Sequence, residues 1–215
     1  VLLIADEIAT GFYRTGNLLA CNEAGITPDI MCLGKALTGG MLPMGATLAS
    51  EEIFAAFLSQ SWDDAFMHGP TYMANALACA AANASLDLFE VSGCRLQVTA
   101  EEREAAKTPN LKPQTYLQKV ERIEAQLTAE LAACEALPGV VDVRVKGAIG
   151  VVQIDPAQVD IYGLRPRFAE MGVWIRPFKD VVYLAPPLVI SAEELGVLTN
   201  SITIQLRKRS SASQP

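Results

Sequence analysis

The chain has 215 residues, of which 51% are hydrophobic and 19% charged, the balance of a folded globular protein rather than of a disordered or fibrous one. Seventeen Lys and Arg against 24 Asp and Glu leave a net charge of −7, so no overall basic field gathers a phosphodiester backbone. Apolar runs such as VLLIA and DVVYLAPPLVI stop well short of the roughly 20 residues that a membrane span needs.

Residues 1–5, VLLIA, form a continuous apolar run that ends at Asp6 and Glu7. This is the pattern of a buried parallel strand with polar residues at its carboxyl end, where ligands gather in open α/β sheets. The run IMCL at 30–33 repeats the idea and leads to Gly34 and Lys35, after which Thr38-Gly39-Gly40 turns the chain; GATLA at 45–49 is a third run. Alternation of these runs with helical stretches around 51–60 and 73–90 predicts α/β architecture. The second stretch is rich in alanine and carries Gly69-Pro70-Thr71 at its amino end. Around 92–116 the composition shifts to Glu, Lys, Thr and Pro, which marks a boundary between a first domain at 1–92 and a second at 93–215. In the second domain, Thr115 and Gln118 form a capping box. Leu117, Val120, Ile123 or Glu124, Leu127 and Leu131 then line one helical face until Pro138-Gly139 stops it. VVDVRVKG alternates like a strand, VVQID reads as its return, residues 160–171 read as a helix, and VWIRP and VVYLAPP as short strands. Ser191 with Glu194 opens a last helix that ends in Arg207-Lys208-Arg209, cations that suit a helix carboxyl end.

No basic-then-apolar leader stands at the start of this sequence, and Val1 opens it in the middle of an apolar run, so the chain is read as the carboxyl part of a longer protein. Cys21, Cys32, Cys79, Cys94 and Cys134 include no CxxC pair, which argues against a zinc site or a disulfide framework and for a reducing cytoplasm. The single histidine, His68, removes multi-histidine metal sites; beside a turn it reads as a hydrogen-bonded structural residue rather than a base. Cys32 and Cys79 read as small core residues. Trp62, Phe178 and Tyr183 are candidates to line a pocket or to pack.

Asp6 and Lys35, each at the end of an apolar run, are the charges hardest to explain by solvation, since burial demands a partner for each. One reading makes them a loop cap and a surface lysine. The other pairs them around pyridoxal phosphate, which requires a lysine amine to bond its aldehyde and an acid to keep its ring nitrogen protonated.

LLIADEIATGFYRTG, then PDIMCLGKALTGG, then MHGPTYMANALACAAANASL resembles the class III pyridoxal-phosphate-dependent aminotransferases, and the resemblance resumes at VVDVRVKGAIGVV and GVWIRPF. Several ordered motifs agree, which makes it specific. It implies fold type I: the carboxyl half of a large, mainly parallel-sheet domain, followed by a small α+β domain. It also implies roles. Asp6 would pair with the pyridinium nitrogen, Lys35 would hold the cofactor and move protons, and Ile8 would pack on a ring face. Thr71, beside Gly69 and Pro70, would hold the phosphate of the neighbouring subunit, hence a homodimer with shared active sites. Arg176 would grip the carboxylate of the amino acceptor, with Arg14 and Phe178 as further substrate contacts. Ala9 suits the branch that moves an amino group from S-adenosylmethionine to 7-keto-8-aminopelargonate in biotin synthesis, rather than the ornithine or aminobutyrate branches. Another class III enzyme acting on terminal amines, or a truncated relic without activity, are the alternatives. Tyr13 departs from the pattern, standing where the family commonly has glycine, and the upstream half that supplies a glycine-serine phosphate cradle is not in this sequence.

Overall fold

The computed structural model describes residues 1–91 and 115–210. The chain forms two compact units, Val1–Phe12 with Asn17–Thr115, and Tyr13–Gly16 with Tyr116–Pro215.

The first unit is built on a three-stranded sheet of β1 (Ile4–Asp6), β2 (Ile30–Leu33) and β3 (Ala46–Ala49), in that order. β1 and β2 run parallel, with Asp6 opposite Cys32, whereas β3 returns antiparallel, with Thr47 opposite Cys32. Within these residues the sheet is therefore mixed. The short helix α1 (Ala20–Ala24) lies on the crossover from β1 to β2. Helix α2 (Glu51–Ala55) follows Ser50, whose Oγ accepts from the Ile53 N–H at 3.4 Å; it is shorter than the apolar pattern over 51–60 predicts. Helix α3 (Ala76–Val91) starts three residues later than its composition predicts. Ala74 takes a φ of +51°, outside the right-handed helical region. Asn75 then caps the helix, its Oδ1 accepting from the Ala78 N–H at 3.0 Å. Ala78 and Ala82 are buried, and their lack of bulk lets α3 approach the 3₁₀ turn Lys35–Thr38, where Ser85 Oγ donates to the Ala36 carbonyl at 3.3 Å.

The continuously apolar start of the chain forms a strand, as expected, but not a buried one. β1 is a sheet edge, and Ile4 is 61% exposed, with Leu2 and Leu3 also open. Cys32 and Cys79 are half-buried rather than in the core, and Trp62 is exposed on a 3₁₀ turn. His68 is exposed, its ring 5.6 Å from that of Phe66 and its N–H donating to the Phe66 carbonyl.

The second unit packs helices on an antiparallel sheet of β4 (Val140–Lys146), β5 (Ile149–Ile154) and β6 (Val181–Leu184). Helix α4 (Tyr116–Leu131) buries Val120, Ile123, Leu127 and Leu131 completely. Their spacing of three or four residues sets them on one face, and each such side chain contributes about 1.5–3 kcal/mol when removed from water. Helix α5 (Ile161–Glu170) is capped by Asp160, which accepts from the Gly163 N–H at 3.0 Å. Helix α6 (Ala192–Ser210) opens on the reciprocal box read from the sequence: Ser191 N–H donates to Glu194 Oε2 at 2.9 Å and Glu194 N–H to Ser191 Oγ at 3.1 Å. Phe168, Ile154, Leu195, Ile202 and Leu206 complete the core. VWIRP is extended but is not a strand. The isolated bridge from Phe178 to Val181 lies just beyond it.

Candidate active site

Parallel pairing of β1 with β2 puts the carboxyl ends of both strands on one edge of the sheet, so that Asp6 and Lys35 emerge there from neighbouring strands. Both are exposed, contrary to the burial that the apolar runs suggest; they reach the surface because the strands end beneath them. Asp6 Oδ1 accepts from the Ile8 N–H at 3.1 Å. The Lys35 amine has no partner among the described residues, and Lys35 holds a φ of +46°, a left-handed conformation that costs a non-glycine residue about 1–2 kcal/mol. The surroundings fix it: Leu37 and Thr38 are buried just beyond, Leu37 N–H donates to the Gly34 carbonyl at 3.0 Å, and Thr38 Oγ1 donates to the Leu42 carbonyl. Backbone strain sustained by its neighbours is typical of functional positions.

Ile8 lies over Gly34. A methyl group on Gly34 would sit 3.4 Å from Ile8 Cγ2, so the chain just before Lys35 and the apolar face of Ile8 are in contact. An acid at one strand end, an amine at the next and an aliphatic face beside it fit the donor set of pyridoxal phosphate.

Glu7, which the sequence marks only as the second acid after the strand, organises this edge. Alternation along the strand turns it inward, where it is 2% exposed. Its N–H donates to the Cys32 carbonyl at 2.9 Å and its carboxylate accepts from the Cys21 N–H at 2.8 Å and from Thr10 Oγ1. Burial pushes the Glu7 carboxyl up, but the hydrogen bonds from Thr10 and from the Cys21 and Ala20 backbone outweigh it and hold the group below the usual range. Burial and the facing carboxylate together push the Cys21 thiol up.

Gly69, Pro70 and Thr71 are all exposed; Pro70 and Thr71 belong to a turn closed by Met73 N–H on the Pro70 carbonyl at 2.9 Å, and Gly69 precedes it. Thr71 is not at a helix start, because Asn75 takes the capping position of α3.

In the second unit, residues 173–178 alternate: Val173 and Ile175 are buried, while Trp174, Arg176 and Phe178 face outward. The Arg176 guanidinium has no partner among the described residues. Trp174 carries the Arg165 guanidinium 5.0 Å from its ring centre, and Phe178 carries the Lys179 amine at 5.6 Å. Tyr183 is partly exposed on β6. Arg14 is committed at one nitrogen: Nη1 donates to the carbonyls of Pro186 at 2.6 Å and Ala148 at 3.3 Å. Burial pushes its pKa down.

The sequence profile described as "Aminotransferase class-III" matches residues 1–206. Adenosylmethionine-8-amino-7-oxononanoate aminotransferase of Mycobacterium leprae is 44% identical over 202 residues, covering 94% of this chain and 41% of the relative; that of Buchnera aphidicola from Acyrthosiphon pisum is 42% identical over 206 residues, covering 96% and 42%. The chain thus spans about two fifths of the length of these relatives. Among solved structures, the enzyme of that name from Methanocaldococcus jannaschii superposes with a TM-score of 0.78 at 30% identity, covering 97% of this chain and 46% of the other. Ornithine aminotransferase from Toxoplasma gondii gives 0.76 at 27%, covering 99% and 44%. With the profile running through nearly the whole sequence and the fold type I architecture shared, the chain belongs to the class III aminotransferases.

Proposed function

We propose that this chain serves a pyridoxal-phosphate-dependent aminotransferase that passes the amino group of S-adenosylmethionine to 7-keto-8-aminopelargonate, giving 7,8-diaminopelargonate in biotin synthesis. One observation carries the reading: Asp6 and Lys35 leave the same sheet edge from adjacent parallel strands, with Ile8 packed over Gly34 beside the lysine. Identities of 42–44% to relatives bearing that name favour these substrates.

Pyridoxal phosphate, when bound, supplies the electron sink that makes a carbon next to an amine acidic. Asp6 offers its carboxylate to the protonated ring nitrogen and is oriented for this by the Ile8 N–H. The Lys35 Nζ, unengaged by other described side chains, takes and returns the proton. Ile8 covers one ring face. Arg176 holds the carboxylate of the acceptor through two parallel bonds, with Phe178 beside it on the same outward row. Arg14 keeps part of its guanidinium for substrate after anchoring through Nη1.

Gly69, Pro70 and Thr71 serve the phosphate in a second copy of the chain, making a homodimer with shared sites. Their neighbours Phe66, Met67, Tyr72 and Met73 are exposed apolar residues, a surface suited to a protein partner. Residues 1–92 are the cofactor-binding part and 93–215 the small domain. The free Cys21, Cys32, Cys79 and Cys134 suit a cytoplasmic protein.

The test uses the full-length gene product incubated with pyridoxal phosphate, reduced with borohydride and mapped by mass spectrometry. A phosphopyridoxyl group on Lys35 is expected; modification elsewhere, or none, overturns the cofactor reading. A donor screen follows. Turnover with S-adenosylmethionine and the keto acid supports the substrate assignment, whereas turnover only with terminal amines and pyruvate replaces it with another class III activity.

A further inference from the structure

The turn between β4 and β5 approaches residues 13–16 more closely than any side chain would permit. A methyl group on Gly147 would lie 2.5 Å from the Thr15 carbonyl carbon, 2.7 Å from the Arg14 oxygen and 2.7 Å from the Gly16 nitrogen. All three are backbone atoms, so no side chain can swing aside. The turn is itself held, since the Gly147 N–H donates to Glu124 Oε1 on α4 at 2.8 Å. Arg14 is then tied at both ends. Its carbonyl accepts from the Ala148 N–H at 3.0 Å, and its Nη1 donates to the Ala148 and Pro186 carbonyls. One residue earlier, Tyr13 sits buried at a φ of +67° with its ring stacked on Tyr116 at 5.9 Å. A bulky residue keeps that conformation only where its surroundings over-determine it.

We infer that Gly147 is a positioning residue for substrate recognition: by letting the β4–β5 turn clamp residues 13–16, it fixes the direction in which Arg14 presents its remaining N–H donors, Nε and Nη2, to a carboxylate-bearing substrate. Neither donor has an acceptor among the described residues, and a planar guanidinium whose position is set from both its main chain and one nitrogen has little freedom left in where those donors point. The inference rests on the aminotransferase reading for the identity of the substrate, not for the clamp.

The test compares two glycine variants of the full-length holoenzyme. Gly147→Ala meets the backbone of residues 14–16. Gly172→Ala, in the same unit, imposes a comparable strain at a φ of +77° with nothing within 4 Å of the added methyl, and so controls for general destabilisation. KM and kcat for each substrate, cofactor content, and hydrogen exchange of a peptide spanning residues 13–16 are measured for both, for Arg14→Ala and for Arg14→Ala with Gly147→Ala.

The expected result is faster exchange at 13–16 in Gly147→Ala alone. The same variant should show a KM for one carboxylate-bearing substrate raised roughly tenfold or more, as misplacement of a binding group by a fraction of an ångström produces. Its cofactor content should be unchanged, and the double variant should be no worse than Arg14→Ala. Equal KM values in the two glycine variants overturn the inference, as does a double variant whose losses multiply. An enzyme inactive with every donor defeats the aminotransferase reading instead. The exchange comparison then still decides the clamp: equal exchange in the two glycine variants overturns it, and faster exchange in Gly147→Ala alone supports it.

Discussion

At Glu7 a single side chain satisfies the Cys21 N–H and the Thr10 hydroxyl beneath the sheet edge on which Asp6 stands. Replacing it by glutamine keeps the volume but removes the charge, and two charge-assisted hydrogen bonds become neutral ones. The expected cost is about 1–3 kcal/mol. Because the folded-state pKa is depressed, the stabilisation is fully present above the ordinary carboxylate pKa of about 4.3 and fades as pH falls through the lower folded value. Melting curves of wild type and Glu7→Gln should therefore stand apart at neutral pH and converge in acid; a gap that stays constant down to pH 3 would refute this. Asp6 and Lys35 were legible in the sequence because each ends an apolar run. Glu7 was not, because two adjacent acids look alike until the pleat assigns one to solvent and one to the interior. The exposure of Asp6 and Lys35 was equally hidden, since a run of apolar letters says nothing of where the strand stops relative to the surface.

Among the elements, helices with a periodic face were the most legible. α4 buries Val120, Ile123, Leu127 and Leu131 as its apolar spacing predicts, while Leu117 in its first turn is left exposed, and the capping box at Ser191 and Glu194 stands where the sequence puts it. Failures fall where local geometry overrides composition. Alanines at 74 and 76 are equally good helix formers, yet only a left-handed residue followed by an asparagine cap determines that α3 starts at Ala76. Asn75→Ala should accordingly destabilise the protein by about 1 kcal/mol, read as a shift of the urea midpoint without a change of slope; an unchanged midpoint would remove the cap from the account. Alternation in VWIRP predicts a strand, and the alternation is real. What the letters lack is the partner, since a ladder needs a neighbour within hydrogen-bonding distance and residues 173–177 have no such pairing. Arg176 is nevertheless turned outward by the same two-residue period.

For the molecule as a whole, the class of fold followed from the alternation of apolar runs with helices, but the partners of its outermost strand did not. Among the described residues β1 is an edge strand with exposed apolar residues on it, and such edges pair with other chains unless blunted. The 215-residue chain on its own should therefore self-associate with rising concentration, and Ile4→Lys should suppress this, as judged by sedimentation velocity. Identical sedimentation of the two proteins would show that association proceeds elsewhere, for instance through the exposed aromatic residues between Phe54 and Tyr72.

The passage of residues 13–16 from one unit into the other has a consequence for how the protein is made. The hydrogen bonds between Arg14 and Ala148 join groups 134 residues apart, so during synthesis Tyr13 and Arg14 leave the ribosome long before the turn that holds them exists. Contacts of such separation form late, after the loop they close has been ordered. Residues 13–16 cannot reach their final contacts while the rest is translated, and neither unit can be cut out by choosing one point in the sequence. A piece ending near residue 115 keeps a segment without its clamp, and a piece beginning there keeps a clamp with nothing in it.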